Sequence, residues 1–221
     1  MRPFSIRLFS PSGAPDGILV ASRDDWPCRA VIFPRALAGE VKGRKEYQQA
    51  GVYILVSSKR IYIGQGDPVG DRIDSHVKHK DFWKKGVFFT AEGGRLNKAH
   101  VQHLESRLIA LAKHASRVPL DNANQPMVPA LSEEDHVFTE NFLHEVLLML
   151  PLLGFWQFSV DEENTDDSQE DADSASSAEE SAVVSTGKRA AMYSSIPKGL
   201  HFKLSFRNAD ATLEVTGGAL S

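Results

Sequence analysis

Residues 51–66 read Gly51-Val52-Tyr53-Ile54-Leu55-Val56-Ser57-Ser58-Lys59-Arg60-Ile61-Tyr62-Ile63-Gly64-Gln65-Gly66. β-Branched and aromatic side chains lie on either side of the polar Ser57-Ser58-Lys59, which predicts a tight antiparallel hairpin with Tyr53 and Tyr62 on neighbouring strands. Gly64-Gln65-Gly66-Asp67-Pro68 breaks the second strand. Val69 to His79 then predicts a helix that sets Arg72 and His76 at i and i+4 on one face. Val87-Phe88-Phe89-Thr90 reads as a third strand. Asn97 to Ala115 reads as an amphipathic helix with Val101, Leu104, Leu108, Ile109 and Leu111 as its apolar stripe and Glu105 beside it.

Outward from this centre, residues 4–9 alternate apolar and polar. A Pro/Gly/Asp cluster from Pro11 to Gly17 leads into Ile18-Leu19-Val20-Ala21, which predicts a hairpin, and residues 29–33 offer a further strand. Pro34 to Gln49 reads as a short helix. Ser132-Glu133-Glu134-Asp135 is an N-terminal cap for a helix running to about Leu153. His201 to Phe206 and Ala211 to Val215 read as short strands. The expected fold is mixed α/β (α+β): a small central antiparallel three-stranded sheet flanked by helices, with an N-terminal β-hairpin extension. The expected organisation is a β-rich extension over 1–48, a catalytic-type domain over 49–158, an acidic disordered linker over 159–185 and a small β segment over 186–221.

Charge is unevenly distributed. Of 29 acids, ten lie between residues 159 and 182, which hold no Lys or Arg, so the rest of the chain carries 25 bases against 19 acids. Residues 42–117 concentrate 15 bases against seven acids. Such a basic body suits a polyanionic partner. The single cysteine, Cys28, forms no internal disulfide, fits a packing role and suits a reducing compartment. The N-terminus has no apolar run of secretory length, and the apolar stretch Phe142 to Phe158 falls short of the roughly 20 residues a spanning helix needs. A buried C-terminal helix, no membrane and a cytoplasmic location are therefore expected.

Cutting a phosphodiester requires a nucleophilic water, relief of charge on the phosphoryl oxygens and stabilisation of the leaving oxyanion. Glu105 is the only acid on its helix and a hard oxygen donor, suited to Mg2+ or Mn2+. Arg72 offers bidentate hydrogen bonds to a phosphate. Tyr53 and Tyr62 supply hydroxyls, one of which must lose its proton to act as base; a depressed pKa next to Arg72 and the metal is the expectation.

Residues 51 to about 124 resemble the GIY-YIG endonuclease superfamily. Gly51-Val52-Tyr53 stands as its first motif and Tyr62-Ile63-Gly64 as its second. Arg72 falls at the expected arginine, and Leu104-Glu105 with Leu108-Ile109 matches the glutamate helix. The resemblance implies a metal-dependent endonuclease that hydrolyses DNA by a single-metal mechanism, with DNA favoured over RNA. It makes Glu105 the metal ligand, Tyr53 the base and Tyr62 the residue that positions the attacking water. His76 would contact the reacting phosphate or share proton transfer. Gly64 and Gln65 are assigned to substrate binding, and the family's late asparagine corresponds to Asn122 or Asn124, with Asn122 favoured. The whole chain loosely resembles bacterial GIY-YIG proteins with a C-terminal domain of unknown function, His201 to Ser221 standing for the opening part of that domain.

Two other function classes fit the same sequence: a non-catalytic nucleic-acid-binding module, and a protein-interaction adaptor that adds its C-terminal strands to a partner sheet. His100 and His103, at i and i+3, lack a third ligand at a compelling spacing, so zinc is not expected from the sequence. Phe82-Trp83 reads as a core anchor rather than a base-stacking platform.

Overall fold

Strands β3 (Trp26–Pro34) and β6 (Lys85–Ala91) pair antiparallel, from Cys28 opposite Ala91 to Pro34 opposite Lys85. This pairing, seen in a computed structural model that describes residues 4–123 and 126–158, decides the architecture. It joins β1 (Arg7–Phe9) and β2 (Leu19–Arg23) to the hairpin of β4 (Gly51–Val56) and β5 (Ile61–Gly66). The described strands form one antiparallel sheet of six, in the order β1-β2-β3-β6-β4-β5.

The fold is mixed α+β as expected, but the sheet has six strands rather than three, and the N-terminal hairpin is its continuation rather than an extension beside it. The reason is burial. Residues 30–33 and 86–90 are buried at every position, so neither strand can stand as a solvated edge, and each takes the other as neighbour. Both β6 flanks are occupied, by β3 and β4.

Helices cover both faces. On one face Val52, Ile54, Ile63, Val87 and Phe89 pack with Leu104, Leu108, Phe142, Val146 and Met149 from α3 (Lys98–Ala115) and α4 (Glu133–Leu152). On the other, Tyr53, Leu55, Phe33 and Phe88 pack with Tyr47, Val69, Ile73 and Trp83. Val69 and Ile73 come from α2 (Val69–His79), while the segment expected as one short helix over Pro34 to Gln49 is α1 (Ala38–Val41) between two 3-10 turns. Trp83 is fully buried, as a core anchor should be.

Local chemistry sets the helix ends. Asn97 caps α3, its Oδ1 accepting from the His100 amide at 2.9 Å, and Ser132 caps α4 by accepting from the Asp135 amide at 3.1 Å. Helix α4 stops at Leu152, short of Phe158, because Gly154 adopts φ +80° and the Phe155 amide turns back to the Leu150 carbonyl. Among the described residues no helix is long and apolar enough to cross a membrane. The expected linker and the strands at His201 to Phe206 and Ala211 to Val215 lie outside the described residues.

Candidate active site

Register places the two tyrosines. Tyr53 stands opposite Gly64 and Leu55 opposite Tyr62, so all four project from the sheet face that α2 covers. Tyr53 is fully buried, and its ring lies across the backbone of β5: a β-carbon built on Gly64 would fall 2.2 Å from the Tyr53 hydroxyl. Here glycine is required by close approach rather than by a turn. Tyr62 is half-buried, its ring centre 6.2 Å from that of Tyr53.

Helix α2 brings His76 onto both tyrosines. Nε2 of His76 lies 2.7 Å from the Tyr53 hydroxyl, and the imidazole meets the Tyr62 ring edge-on at 4.6 Å. Burial, reinforced by Lys80 and Arg72 nearby, pushes the His76 pKa down to about 4, so the ring is neutral near pH 7. With Nε2 unprotonated, the tyrosyl hydroxyl donates to it. Lys80 extends the arrangement: its ammonium lies 4.6 Å from the Tyr62 ring centre and 2.5 Å from Oδ2 of Asp121.

The expected depression of the Tyr53 pKa is not what the site provides. Burial raises it, and Tyr62 and Glu105 add to the rise while Arg72 partly opposes it. A phenolate at Tyr53 has lost its solvation, and one guanidinium, exposed to water, does not replace it.

Glu105 projects from α3, half-buried, with no hydrogen-bond partner among the described residues. Burial pushes its pKa up to about 7, against the pull of Arg72 and Lys98. Arg72 itself is exposed and likewise has no hydrogen-bond partner among the described residues. Lys98 donates to Oε1 of Gln65 at 3.1 Å, which ties the start of α3 to the end of β5 and leaves Gln65 on the α3 side of the sheet.

Asn122 is spoken for by the sheet. Its Oδ1 accepts from the Ile63 amide at 3.0 Å and its Nδ2 donates to the Ile63 carbonyl at 2.7 Å. It completes the outer edge of β5 and so shapes the strand that carries Tyr62 and Gly64. Asn124 lies outside the described residues.

Tyr53, Tyr62 and His76 are in direct contact, and Arg72 and Glu105 lie within electrostatic reach of Tyr53, the five being drawn from two strands and two helices. Two cavities open elsewhere, one of about 260 Å³ between Arg29, Gln49 and Glu92 and one of about 410 Å³ beside Arg23 and Trp26, and neither is lined by these five residues. Of the five, Arg72 is exposed, Tyr62 and Glu105 are half-buried, and Tyr53 and His76 are buried behind them. Comparison with protein-family models, with curated proteins and with solved structures gives no match.

Lys80 and Asp121 were not singled out by sequence reasoning. Lys80 follows α2 by one residue, and its contact with Tyr62 depends on the chain after α3 returning along β5. That return is a parallel bridge between Leu120 and Ile61, a feature without a local sequence signature.

Proposed function

We propose that this protein is a GIY-YIG-type endonuclease that hydrolyses phosphodiester bonds in DNA with one divalent metal ion. The observation that carries the reading is the hydrogen-bonded pair of Tyr53 and His76, set behind Gly64 with Arg72 and Glu105 close enough to shift the titration of the tyrosine.

Glu105 is a fitting ligand for Mg2+ or Mn2+. Its carboxylate is half-buried, bonded to no cation among the described residues, and burial pushes its pKa up to about 7 even against the pull of Arg72 and Lys98. A hard divalent ion, which keeps most of its waters and takes one or two carboxylates, suits such a group. Bound there, it would polarise the scissile phosphate and neutralise developing negative charge.

The protein groups divide the remaining work. Arg72, exposed and permanently charged, binds the phosphoryl oxygens and stabilises their charge in the transition state. In this reading the attacking water must enter beside the enclosed Tyr53 hydroxyl; as that oxygen takes a proton from the water, its own passes to Nε2 of His76. This relay removes any need for a standing phenolate, which burial forbids. Tyr62, braced by the Lys80 ammonium and the His76 ring, orients the water. Asn122 holds the β5 edge in place. The lone thiol, buried Cys28, has its pKa pushed well up by desolvation, which suits a packing role.

The test is cleavage of labelled single-stranded, duplex and branched DNA, and of RNA, by the wild type and Glu105→Ala with Mg2+, Mn2+ or EDTA. Metal-dependent product from the wild type alone supports the proposal and names the substrate class. Undiminished cleavage by both Glu105→Ala and Arg72→Ala overturns it. Salt-sensitive binding without product under any condition assigns the chain to the non-catalytic nucleic-acid-binding class instead.

A further inference from the structure

Away from the β5 edge, α3 and α4 bring three metal-ligating side chains together: His103 from α3, and His136 and Glu140 from α4. We propose that these three residues form a Zn2+ site that clamps the two helices to each other. The proposal does not rest on the nuclease reading and concerns a different ion and different ligands.

Geometry supports it first. His136 and Glu140 are four residues apart and share one face of α4, the face turned to α3. One donor atom from each of the three residues can be chosen so that all lie within 4.8 Å of one another. Nε2 of His103 is 2.6 Å from Oε1 of Glu140, and the His103 and His136 rings are 5.3 Å apart, nearly perpendicular. Tetrahedral bonds of about 2.0–2.1 Å set ligand atoms roughly 3.3 Å apart, so an ion entering between them would open the 2.6 Å contact of His103 with Glu140 and draw the wider separations in.

The state of His103 supports it second. The residue is 4% exposed, and its Nδ1 is buried with no hydrogen-bond partner. Among the described residues its only polar tie is the one to Glu140. Moving the ring proton from Nε2 to Nδ1, as metal ligation through Nε2 requires, therefore breaks no other bond. Nε2, the nitrogen that faces Glu140, is therefore free to exchange its proton for an ion without disturbing any other contact of the ring.

Donor chemistry selects the ion. Two imidazole nitrogens and one carboxylate oxygen favour Zn2+ over Mg2+ or Ca2+, which prefer oxygen ligands. Three protein ligands leave a fourth position for water. Arg107 lies 3.0 Å from Oε1 and 3.1 Å from Oε2 of Glu140. When Oε1 turns to the ion, Arg107 retains Oε2 and orients the carboxylate, the supporting contact that metal-ligating carboxylates usually have.

The experiment is Zn2+ titration of the full, untagged chain in excess Mg2+, read by competition with a chromophoric chelator and by the melting temperature. The comparison set is wild type, His136→Ala and Glu105→Gln. The expected result is one Zn2+ per wild-type chain that raises the melting temperature. His136→Ala is expected to bind at least tenfold more weakly while its metal-free melting temperature stays near wild type, because His136 is exposed. Glu105→Gln should bind Zn2+ as the wild type does. Equal binding by wild type and His136→Ala, or no stoichiometric binding by wild type, overturns the proposal. Loss of binding only in Glu105→Gln also overturns it, since the ion then belongs to the other site.

Discussion

Gly64 and Tyr53 contend for one volume: a β-carbon at residue 64 would lie 2.2 Å from the tyrosyl hydroxyl and 2.3 Å from the ring carbon that bears it. Gly64→Ala therefore has to push the Tyr53 ring away from His76 or open the hairpin. The expected cost is about 1–3 kcal/mol of stability from overpacking, with cleavage reduced by roughly 100-fold or more as the proton relay loses its geometry. Chemical denaturation and single-turnover rates measure the two effects. A variant as active as wild type would mean that the relay does not pass through Tyr53.

Tyr53→Phe removes the hydroxyl and nothing else. Proton transfer by a positioned side chain is worth on the order of 10²–10⁴ in rate, so cleavage should fall within that range while substrate binding is retained. The fold should persist, since the ring still fills its place among Leu55, Phe88 and Val69. Binding and cleavage assays run side by side separate a lost step from a lost site.

His76 makes stability depend on pH. Its pKa falls from 6.5 to about 4 on folding, so between those values the unfolded chain binds more protons than the folded one. Stability attributable to this residue is complete above pH 6.5 and declines as the pH falls toward 4. His76→Gln should flatten the decline over that window. Urea midpoints at several pH values reveal the slope, and an identical slope in the variant would relieve His76 of the role.

Glu105 works in the opposite sense. Its pKa rises from 4.5 to about 7 on folding, so the stability it confers is present below pH 4.5 and is lost as the pH climbs through 7. Glu105→Gln cannot ionise and escapes that loss. In EDTA the variant should melt above wild type at pH 8, with the gap closing toward pH 4.5. Mg2+ should narrow the gap at pH 8 by stabilising only the wild type.

Asn122→Ala should loosen the β5 edge. Two Ile63 backbone groups lose their partners, and leaving such groups unsatisfied costs about 1–3 kcal/mol. Hydrogen exchange at the Ile63 amide reports the change directly and should quicken, while amides in β3 and β6 keep their protection.

The hairpin, α2, α3 and the capped α4 were legible because each depends on local periodicity and on end-capping residues such as Asn97 and Ser132. The six-stranded sheet was not, because its decisive contact pairs Cys28 with Ala91 across the length of the domain. Residues 29–33 and Val87 to Thr90 read as strands, yet nothing local said they were each other's neighbours. The same divide runs through the candidate site. Residue types and spacing singled out Tyr53, Tyr62, Arg72, His76 and Glu105, but the sign of the Tyr53 shift depends on how deeply the phenol is enclosed. Likewise, the i, i+4 spacing of His136 and Glu140 was present in the sequence, whereas the approach of His103 comes from helix packing.

The outward backbone groups of β5 have a consequence for how this molecule meets its neighbours. Ile61 donates to the Pro119 carbonyl and accepts from the Asp121 amide, and Ile63 is bracketed by Asn122. A strand whose rim is already answered in this way offers little template to another chain. The opposite rim belongs to β1, three residues long with Arg7 and Phe9 exposed. The sheet is thus asymmetric at its borders, sealed beside the candidate site and short at the far end. Crowded copies of the protein would stay separate at the sealed border, and any strand-to-strand adhesion between them would have to begin at β1.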